Sequence, residues 1–493
     1  MRLSSLPRSP GAFGSAPAAP ASTKIDSIAV LPFENFSPDR SNEYIGDGIT
    51  EEVINALAQV GALKVVSRTS AFAFKGTRSD VREIGKALGV DAVVEGSVQR
   101  ANDRLRVTAQ LINARDGYHL WSETYNGAVG DVFSIEDQIA RSVARALQRS
   151  MGRAAAGPGT HDIVAYDLYL KARHEESALT RENFDQAVAN FRAAIDRDPS
   201  FAEAYAGLAE TYSLMDHRPG LTPLRPKETY ALAIDAANKA LRLDPDSVEA
   251  HTAIGHIDMH LGKFNEAREH LNRALQLNPN FTSAILWRAV LFRALGDDAR
   301  SNVEFDRAIQ LDPLSELVLT FAVPGAFNTG DFARAAALAE RGIRLDPHDG
   351  SMFANLAEAD AAMGRFNDAE TALRRAAEVR QPATLDESRA LVLALSGRKR
   401  EAAELLRRVG PTAPGPAFPK MMRAWVAAGD DAEATRWLDR IVNEVPEYGR
   451  LAIDLPSHPA FSRFRRDPRW FEARRKLGLL PGGGTVETSP AAR

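Results

Sequence analysis

Two hydrophobic rhythms divide the chain. In the first third, short continuous or alternating apolar runs are interleaved with helical stripes. Residues 27–33, SIAVLPF, are apolar on both faces and interrupted by Pro32, which predicts a buried strand. Ile49, Val53, Leu57 and Val60 form one stripe of a following helix that Gly61 stops. Residues 63–67 predict a second short strand, and 81–88 a second helix ended by Gly89. Longer strands follow at 91–100, 105–113 and 119–125. The Ala-Asn-Asp-Arg link between the first two suits a hairpin that puts Leu105, Val107, Ala109 and Leu111 on one face. An amphipathic helix from Phe133 to about Met151 completes the order β-α-β-α-β-β-β-α, which implies a mixed sheet with packed helices.

Past Gly157-Pro-Gly159 the pattern is helical throughout, and it repeats. Gly262, Gly296, Gly330 and Gly364 stand 34 residues apart, as do Pro245, Pro279, Pro313 and Pro347. Small residues occupy two further columns, Ala267, Ser301, Ala335 and Ala369, then Ala274, Ala308 and Ala376. Leu271, Phe305 and Leu373 fill the space beside them. Each glycine permits a turn between paired helices, and each proline ends the second helix of a pair. A period of this length means a stacked solenoid. Gly397 and Gly429 continue the column at spacings of 33 and 32. The step from Pro199 to Pro245 is 46, so 12 extra residues must be absorbed around 218–226, by a loop at the turn or a stretched first helix. Pro324-Gly325 interrupts the first helix of the fifth unit and predicts a kink or a shortened helix there.

Two families enter on these residues. The columns resemble tetratricopeptide repeats, so the fold class expected is an α/β amino-terminal domain followed by an all-α superhelix. The blocks SIAVLPFENFS, YIGDGITEEVINAL, VVSRTSAFAFKG, DVREIGKALGVDAVVEGSV and RVTAQLINARDGYHLWSETY resemble the TolB-like amino-terminal domain of certain bacterial signalling proteins. In those proteins the domain follows a class III adenylate cyclase or winged-helix DNA-binding domain and precedes tetratricopeptide repeats. The resemblance implies no reaction. With only a Pro-, Ala- and Ser-rich segment before Lys24, cyclase or promoter-binding activity is not expected here. The boundaries expected are a disordered linker at 1–23, the α/β domain at 24–155, and about eight helix pairs at 160–448. A capping helix at 449–480, mixing Phe461, Phe464, Trp470 and Phe471 with arginines, and a disordered tail at 481–493 complete them.

Composition narrows the chemistry. The 493 residues carry a net charge of -4 and no cysteine, so disulfides, thiolate metal sites and cysteine nucleophiles are excluded. No run of about 18 apolar residues exists to span a membrane. Pro7, Pro10 and several Gly and Ser residues break the apolar stretch a secretion signal needs, so the cytoplasm is expected, with the periplasm as the alternative. No Walker loop, nucleophile elbow, kinase signature or zinc-protease motif occurs. Tyr44-Ile-Gly-Asp-Gly opens a helix whose amino end is either an anion site or is capped by Asp47, Glu51 and Glu52. Arg68, Lys75 and Arg78 form a basic cluster that is either a solvated loop or meets an anionic partner.

The repeat register maps a candidate partner groove: Glu203, Glu210, Glu249, Thr252, His256, His260, Arg293, Asn355 and Glu358. His256 and His260 share a helical face; a peptide-contacting or solvated pair is expected rather than a metal site, since no third ligand follows at metal spacing. Ala172 and Glu176 stand where a carboxylate clamp of the Lys/Asn type would be, so a basic or apolar partner is expected and not a chaperone tail. The function expected is a non-enzymatic protein–protein interaction scaffold in a bacterial signalling or envelope pathway. No cofactor, metal or nucleic acid is expected, and the partner is a protein or peptide. The alternative is a ligand-sensing regulator whose amino-terminal domain binds a small molecule or nucleotide.

Overall fold

The structure is a computed structural model. It describes residues 25–444 apart from 40–41, 59, 61–62, 103, 148–159, 161, 177–180, 216–223, 380–384 and 413–417, together with Pro468. The expected linker, the tail and, Pro468 aside, the capping helix lie outside the described residues.

The first third builds a mixed sheet in the order β3-β1-β4-β5-β6. Strand β1 (Ser27–Val30) runs parallel to both β3 (Lys64–Val65) and β4 (Ala92–Ala101). Strands β4, β5 (Arg104–Asn113) and β6 (His119–Ala128) form an antiparallel meander. The two-residue β2 (Glu34–Asn35) pairs with the far end of β4. Alternation along β1 explains its double burial. Ile28 and Val30 meet one side, with helices α1 (Glu43–Ala58) and α4 (Val132–Ala146). Ala29 and Leu31 meet the other, with α3 (Val81–Leu88). The hairpin is tighter than the four-residue link suggested. Ala101 already pairs with Arg104, and Asn102 takes the left-handed conformation (φ 55°) that Asn tolerates. One helix was not foreseen: α2 (Arg68–Phe72), directly after β3.

Eight helix pairs follow among the described residues. They are α5 (Ile163–Glu176) with α6 (Arg181–Arg197), α7 (Ala202–Leu214) with α8 (Pro226–Leu243), and α9 (Val248–His260) with α10 (Phe264–Leu277). Next come α11 (Thr282–Ala294) with α12 (Asp298–Leu311), and α13 (Glu316–Asn328) with α14 (Phe332–Leu345). The last are α15 (Gly350–Ala362) with α16 (Phe366–Val379), α17 (Asp386–Leu395) with α18 (Lys399–Val409), and α19 (Phe418–Ala428) with α20 (Asp431–Glu444). All six column glycines from Gly262 to Gly429 have φ between 73° and 87°, a conformation that disfavours any side chain. The small columns are buried, and Ser301, the polar exception, donates its hydroxyl to the Ala289 carbonyl at 2.9 Å. Helix α7 keeps 13 residues, like its counterparts, while α8 has 18 against 14 for α10; the longer second helix absorbs part of the insertion. Helix α13 also keeps 13 residues and runs through Pro324, so the expected shortening does not occur. Gly325 beside it gives room to the Phe305 ring, which a Cβ there would approach to 3.1 Å.

The boundary expected near residue 157 does not separate two cores. A single cluster of buried apolar residues runs from Ile28 in the sheet through α1 and α4 to Phe184, Phe201 and Ile257 in the repeats. Helix α1 is the shared wall, and its glycines make this possible. A Cβ on Gly46 would stand 2.4 Å from the Phe33 carbonyl oxygen, and one on Gly48 would meet Leu170 of α5 at 2.4 Å. The Gly-Asp-Gly motif is thus a close-packing device on both faces of α1. Because the atom Gly46 faces is backbone and cannot swing away, Gly46→Ala is expected to destabilise the protein by roughly 1–3 kcal/mol. Urea unfolding of the full chain measures this; an unchanged midpoint would contradict the close approach.

Candidate functional site

The amino-terminal domain packs against the early repeats, and the first helices α7, α9, α11 and α13 line the space between the two. Between β3 and α2 the chain reads the turns that join successive repeats. Ser67 donates its N–H to the Leu311 carbonyl at 2.7 Å. The Ser70 hydroxyl donates to Asp312 at 2.5 Å and accepts from the Leu314 N–H at 2.7 Å. One repeat earlier, the Asn280 side chain donates to the Leu63 carbonyl at 2.9 Å. Both turns are the Leu-Asn-Pro or Leu-Asp-Pro tripeptides of the proline column. Residues whose spacing marks architecture therefore also hold another part of the chain.

At the other end of this contact stands Arg173, on α5. Its guanidinium donates through Nε to Glu51 of α1 at 2.9 Å, with a second, shorter bond to the same carboxylate. Its remaining nitrogen reaches Glu176 and Glu210, each at 3.0 Å. Arg68 adds a contact to Glu51 at 3.2 Å, and Lys75 and His174 converge on Asp47 at 2.7 and 2.6 Å. Burial raises the Asp47 and Glu51 carboxyls, but the hydrogen bonds of His174 and Lys75 to Asp47 and the charges of Arg173 and Arg68 beside Glu51 outweigh it and hold both below their ordinary values. Thus Asp47 and Glu51 are neither helix caps nor solvent-facing. Both lie inside α1, which starts at Glu43, and bind the array. Arg68, the first residue of α2, and Lys75 just beyond it are correspondingly engaged, so this segment is no simple solvated loop.

Around Arg173 the carboxylates outnumber the cations. Burial, then Glu51, Glu203 and Glu249, push Glu52 up to about 8. Burial raises Glu249 to about 7, aided by Glu210 and Glu203. Glu176 also reaches about 7, by burial and Glu210 against the pull of Arg173. Burial, then Glu52, hold Glu136 on α4 well above its ordinary value, against the hydrogen bond its carboxylate accepts from the Tyr166 hydroxyl at 3.1 Å. Between the two bodies lies a cavity of about 740 Å³, walled by α1, α2, and the inner helices from α5 to α13.

The mapped groove residues divide between different surroundings. Glu210, Glu249 and Thr252 line this cavity, with Glu203 close to Glu52 and Glu249 beside it. His256 has no exposed surface: its ring stacks on Trp287 at 3.7 Å, and its Nε2 lies 3.0 Å from that of His260. It is a packing residue rather than a solvated or peptide-facing one. Among the described residues no group of three or more His, Asp or Glu side chains is placed to share a metal ion. Arg293 is buried and donates to the Phe321 carbonyl at 2.5 Å. Glu358 is buried too, bound by Ser388 at 2.6 Å and by Lys420 and Arg423 at 3.0 Å, and burial is outweighed by those cations, which hold it at about 2. It braces α15 against α17 and α19 and offers nothing to a partner. Asn355 remains partly exposed on α15. The residues that sequence reading missed, Arg173, Ser70 and Asp312, carry no local signal, because each acquires its role from a distant segment.

Comparison with known proteins bears on both parts. Residues 176–212, 248–281 and 326–391 match models described as tetratricopeptide repeat. Residues 23–141 match one described as HilA/YgeH-like transcriptional regulator, second domain. A Rhizobium meliloti (strain 1021) protein named "Putative adenylate cyclase 3" is 34% identical over 234 residues, 46% of this chain and 39% of that protein. The chain therefore spans well under half of that relative's length. Among solved structures, YrrB, described as a TPR protein with an unusual peptide-binding site, is 18% identical. That likeness covers 40% of this chain and 94% of YrrB, with a TM-score of 0.30. Pseudomonas aeruginosa PilF is also 18% identical, over 45% of this chain and 95% of its own, with a TM-score of 0.36. The chain is an amino-terminal mixed-sheet domain followed by a series of paired helices, of which residues 176–212, 248–281 and 326–391 match tetratricopeptide repeats.

Two outcomes follow from the ion network. Removing the guanidinium strands a buried Glu51, so Arg173→Ala is expected to cost about 3–5 kcal/mol, whereas an exposed pair would cost well under 1. Denaturant unfolding distinguishes these. The pH dependence has a definite sign. Glu52, Glu176 and Glu249 keep protons in the folded state up to about pH 7–8, whereas unfolded glutamates release them near 4.3. The folded state thus binds more protons across that interval, and stability falls as pH rises through it. Asp47 and Glu51 act oppositely, but only as pH falls below about 4. The melting temperature is expected to drop from pH 5.5 to 8.5, and the drop to shrink in Glu52→Gln; a flat or rising profile would contradict the carboxylate surplus.

Proposed function

We propose that the protein is a non-enzymatic interaction scaffold of a bacterial signalling or envelope pathway, engaging a protein partner on the inner face of its repeat array. Tetratricopeptide arrays bind protein or peptide partners, because stacked helix pairs present a continuous, rigid surface that no single pair could form. The observation that carries the reading is the docking of the protein's own amino-terminal domain. Ser67, Ser70 and Leu63 bond to the inter-repeat turns at Leu311 to Leu314 and at Asn280, so the array already receives a folded element by main-chain and side-chain hydrogen bonds.

A signalling setting is supported by the transcriptional-regulator description of the family matched at residues 23–141, and by the name of the Rhizobium relative. The TolB-like sequence blocks point the same way. No helix among the described residues is long and apolar enough to cross a membrane.

Partner binding on the inner face has a geometric test. A photo-crosslinking residue at Asn355, on the inner helix α15, is expected to form adducts with a discrete partner in cells. The same residue at Glu340, exposed on the outer helix α14, is expected to form none. Equal adducts at both positions, or adducts only at Glu340, would place the partner elsewhere.

A further inference from the structure

We infer that the outer edge of β6 pairs with the same edge of a second copy of this chain, joining two amino-terminal sheets across a two-fold axis at Thr124. Strand β6 ends the strand order, so among the described residues no strand lies beyond it. The ladder decides which of its backbone groups face outward. The Val94 and Val98 carbonyls of β4 accept from Leu31 and Phe36, so Val93, Glu95 and Ser97 turn their N–H and C=O to β5. Their partners Ile112, Gln110 and Thr108 face back to β4, and by alternation Val107, Ala109 and Leu111 face β6. The Asn113 N–H, donated to the Tyr118 carbonyl at 2.9 Å, agrees with this alternation. On β6, Trp121, Glu123 and Tyr125 are thereby engaged, and the N–H and C=O of Ser122, Thr124 and Asn126 point outward. All three residues are exposed.

This window is closed at both ends. On one side the ladder shifts register and leaves Leu120 bulged out of the pairing. On the other, the Ala128 N–H already donates to the Asp131 carboxylate at 2.8 Å. Edges that stay single are commonly guarded by lysine or proline. Residues 121–127, WSETYNG, contain neither.

Such an edge fits itself in one register. With the axis at Thr124, that residue meets its own copy, and Ser122 and Asn126 meet each other twice, so every outward group is paired. Glu123 then stands opposite Tyr125 of the second copy, a carboxylate beside the kind of hydroxyl it already binds at 3.0 Å within the chain. An axis at Glu123 opposes two carboxylates and lays Asn126 against the bulge. An axis at Tyr125 lays Ser122 against Ala128, whose N–H is taken. Axes at Ser122 or Asn126 lay Thr124 against the bulge or against Ala128. This self-match specifies a second copy as the occupant. A two-fold pair uses the edge up and closes, so a dimer forms and not a fibre.

The edge belongs to the sheet and not to the array, so the inference does not rest on the scaffold reading. Adducts at Asn355 in cells and self-association of the purified chain report on separate claims.

Sedimentation velocity of the full chain, from about 1 to about 200 μM, tests the pairing. A reversible shift from monomer to dimer with concentration is expected. Thr124→Lys sets like charges opposite each other at the axis and is expected to weaken association about tenfold or more, as is Thr124→Glu. An equimolar mixture of the two is expected to regain the dimer, because opposite charges then meet only where Thr124 lies opposite itself. That recovery also shows both variants to be folded. Thr124 is exposed and its hydroxyl touches only that of Thr108, at 3.1 Å, so melting temperatures are expected within a few degrees of the parent. Glu340→Lys, on the outer helix α14, is expected to leave association unchanged. A chain that stays monomeric at about 200 μM would overturn the inference. So would association unchanged in Thr124→Lys, or a mixture that associates no better than either variant alone.

Discussion

The contact on which the arrangement depends is the guanidinium of Arg173. It lies where α1, α5 and α7 meet, and joins Glu51 of the first to Glu176 and Glu210 of the array. Taking such groups out of water costs about as much as their attraction returns, so the network adds little net stability. Its effect is on register. A planar fork with its donors assigned to three carboxylates has few alternative placements. Sliding the domain along the inner face by one repeat would leave Glu51, 6% exposed, without a counter-charge. The hydrogen bonds of Ser67 and Ser70 to the Leu311–Leu314 turn fix the opposite end, so the domain is held at two points.

Between those points the apolar core is continuous. Solenoid repeats contact only their neighbours, and stability along an array is usually close to a sum of local terms. Here the first three units depart from that rule, because Ile49 and Leu57 of α1 belong to the same buried cluster as Phe184, Phe201 and Ile257. The amino-terminal third and the early repeats form one cooperative block. Farther along, the array closes on itself by a different device, with Glu358 tying α15 to α17 and α19.

How much of this could be read from residues alone follows from range. The repeat columns were legible because their physics is local. A glycine with positive φ at each turn, a proline after each second helix and an alanine at each crossing recur within 34 residues. Most of the element order of the first third was legible for the same reason, although β2 and α2 were not. The inter-domain site was not. Asp47 and Glu51 read as complements to a helix dipole because their partners on α5 lie 127 and 122 residues away. Ser70 and Asp312 are separated by 242. The spacing of His256 and His260 correctly puts them on one face, but nothing in it reveals that Trp287, one repeat later, covers that face. Register assigns a residue to the inside of a superhelix. Whether the inside is open depends on curvature and on what else the chain puts there.

The position of the cleft gives it a consequence that neither part alone would have. Glu249, Thr252 and Thr282 belong to the array, while Asn55, Thr69 and Phe72 belong to the domain docked on it. The carboxylate surplus acts across this contact, because unfolding returns Glu52 and Glu249 to water and lets them ionise freely. The buried carboxylates that join the two parts thus also make the stability of their contact fall as pH rises.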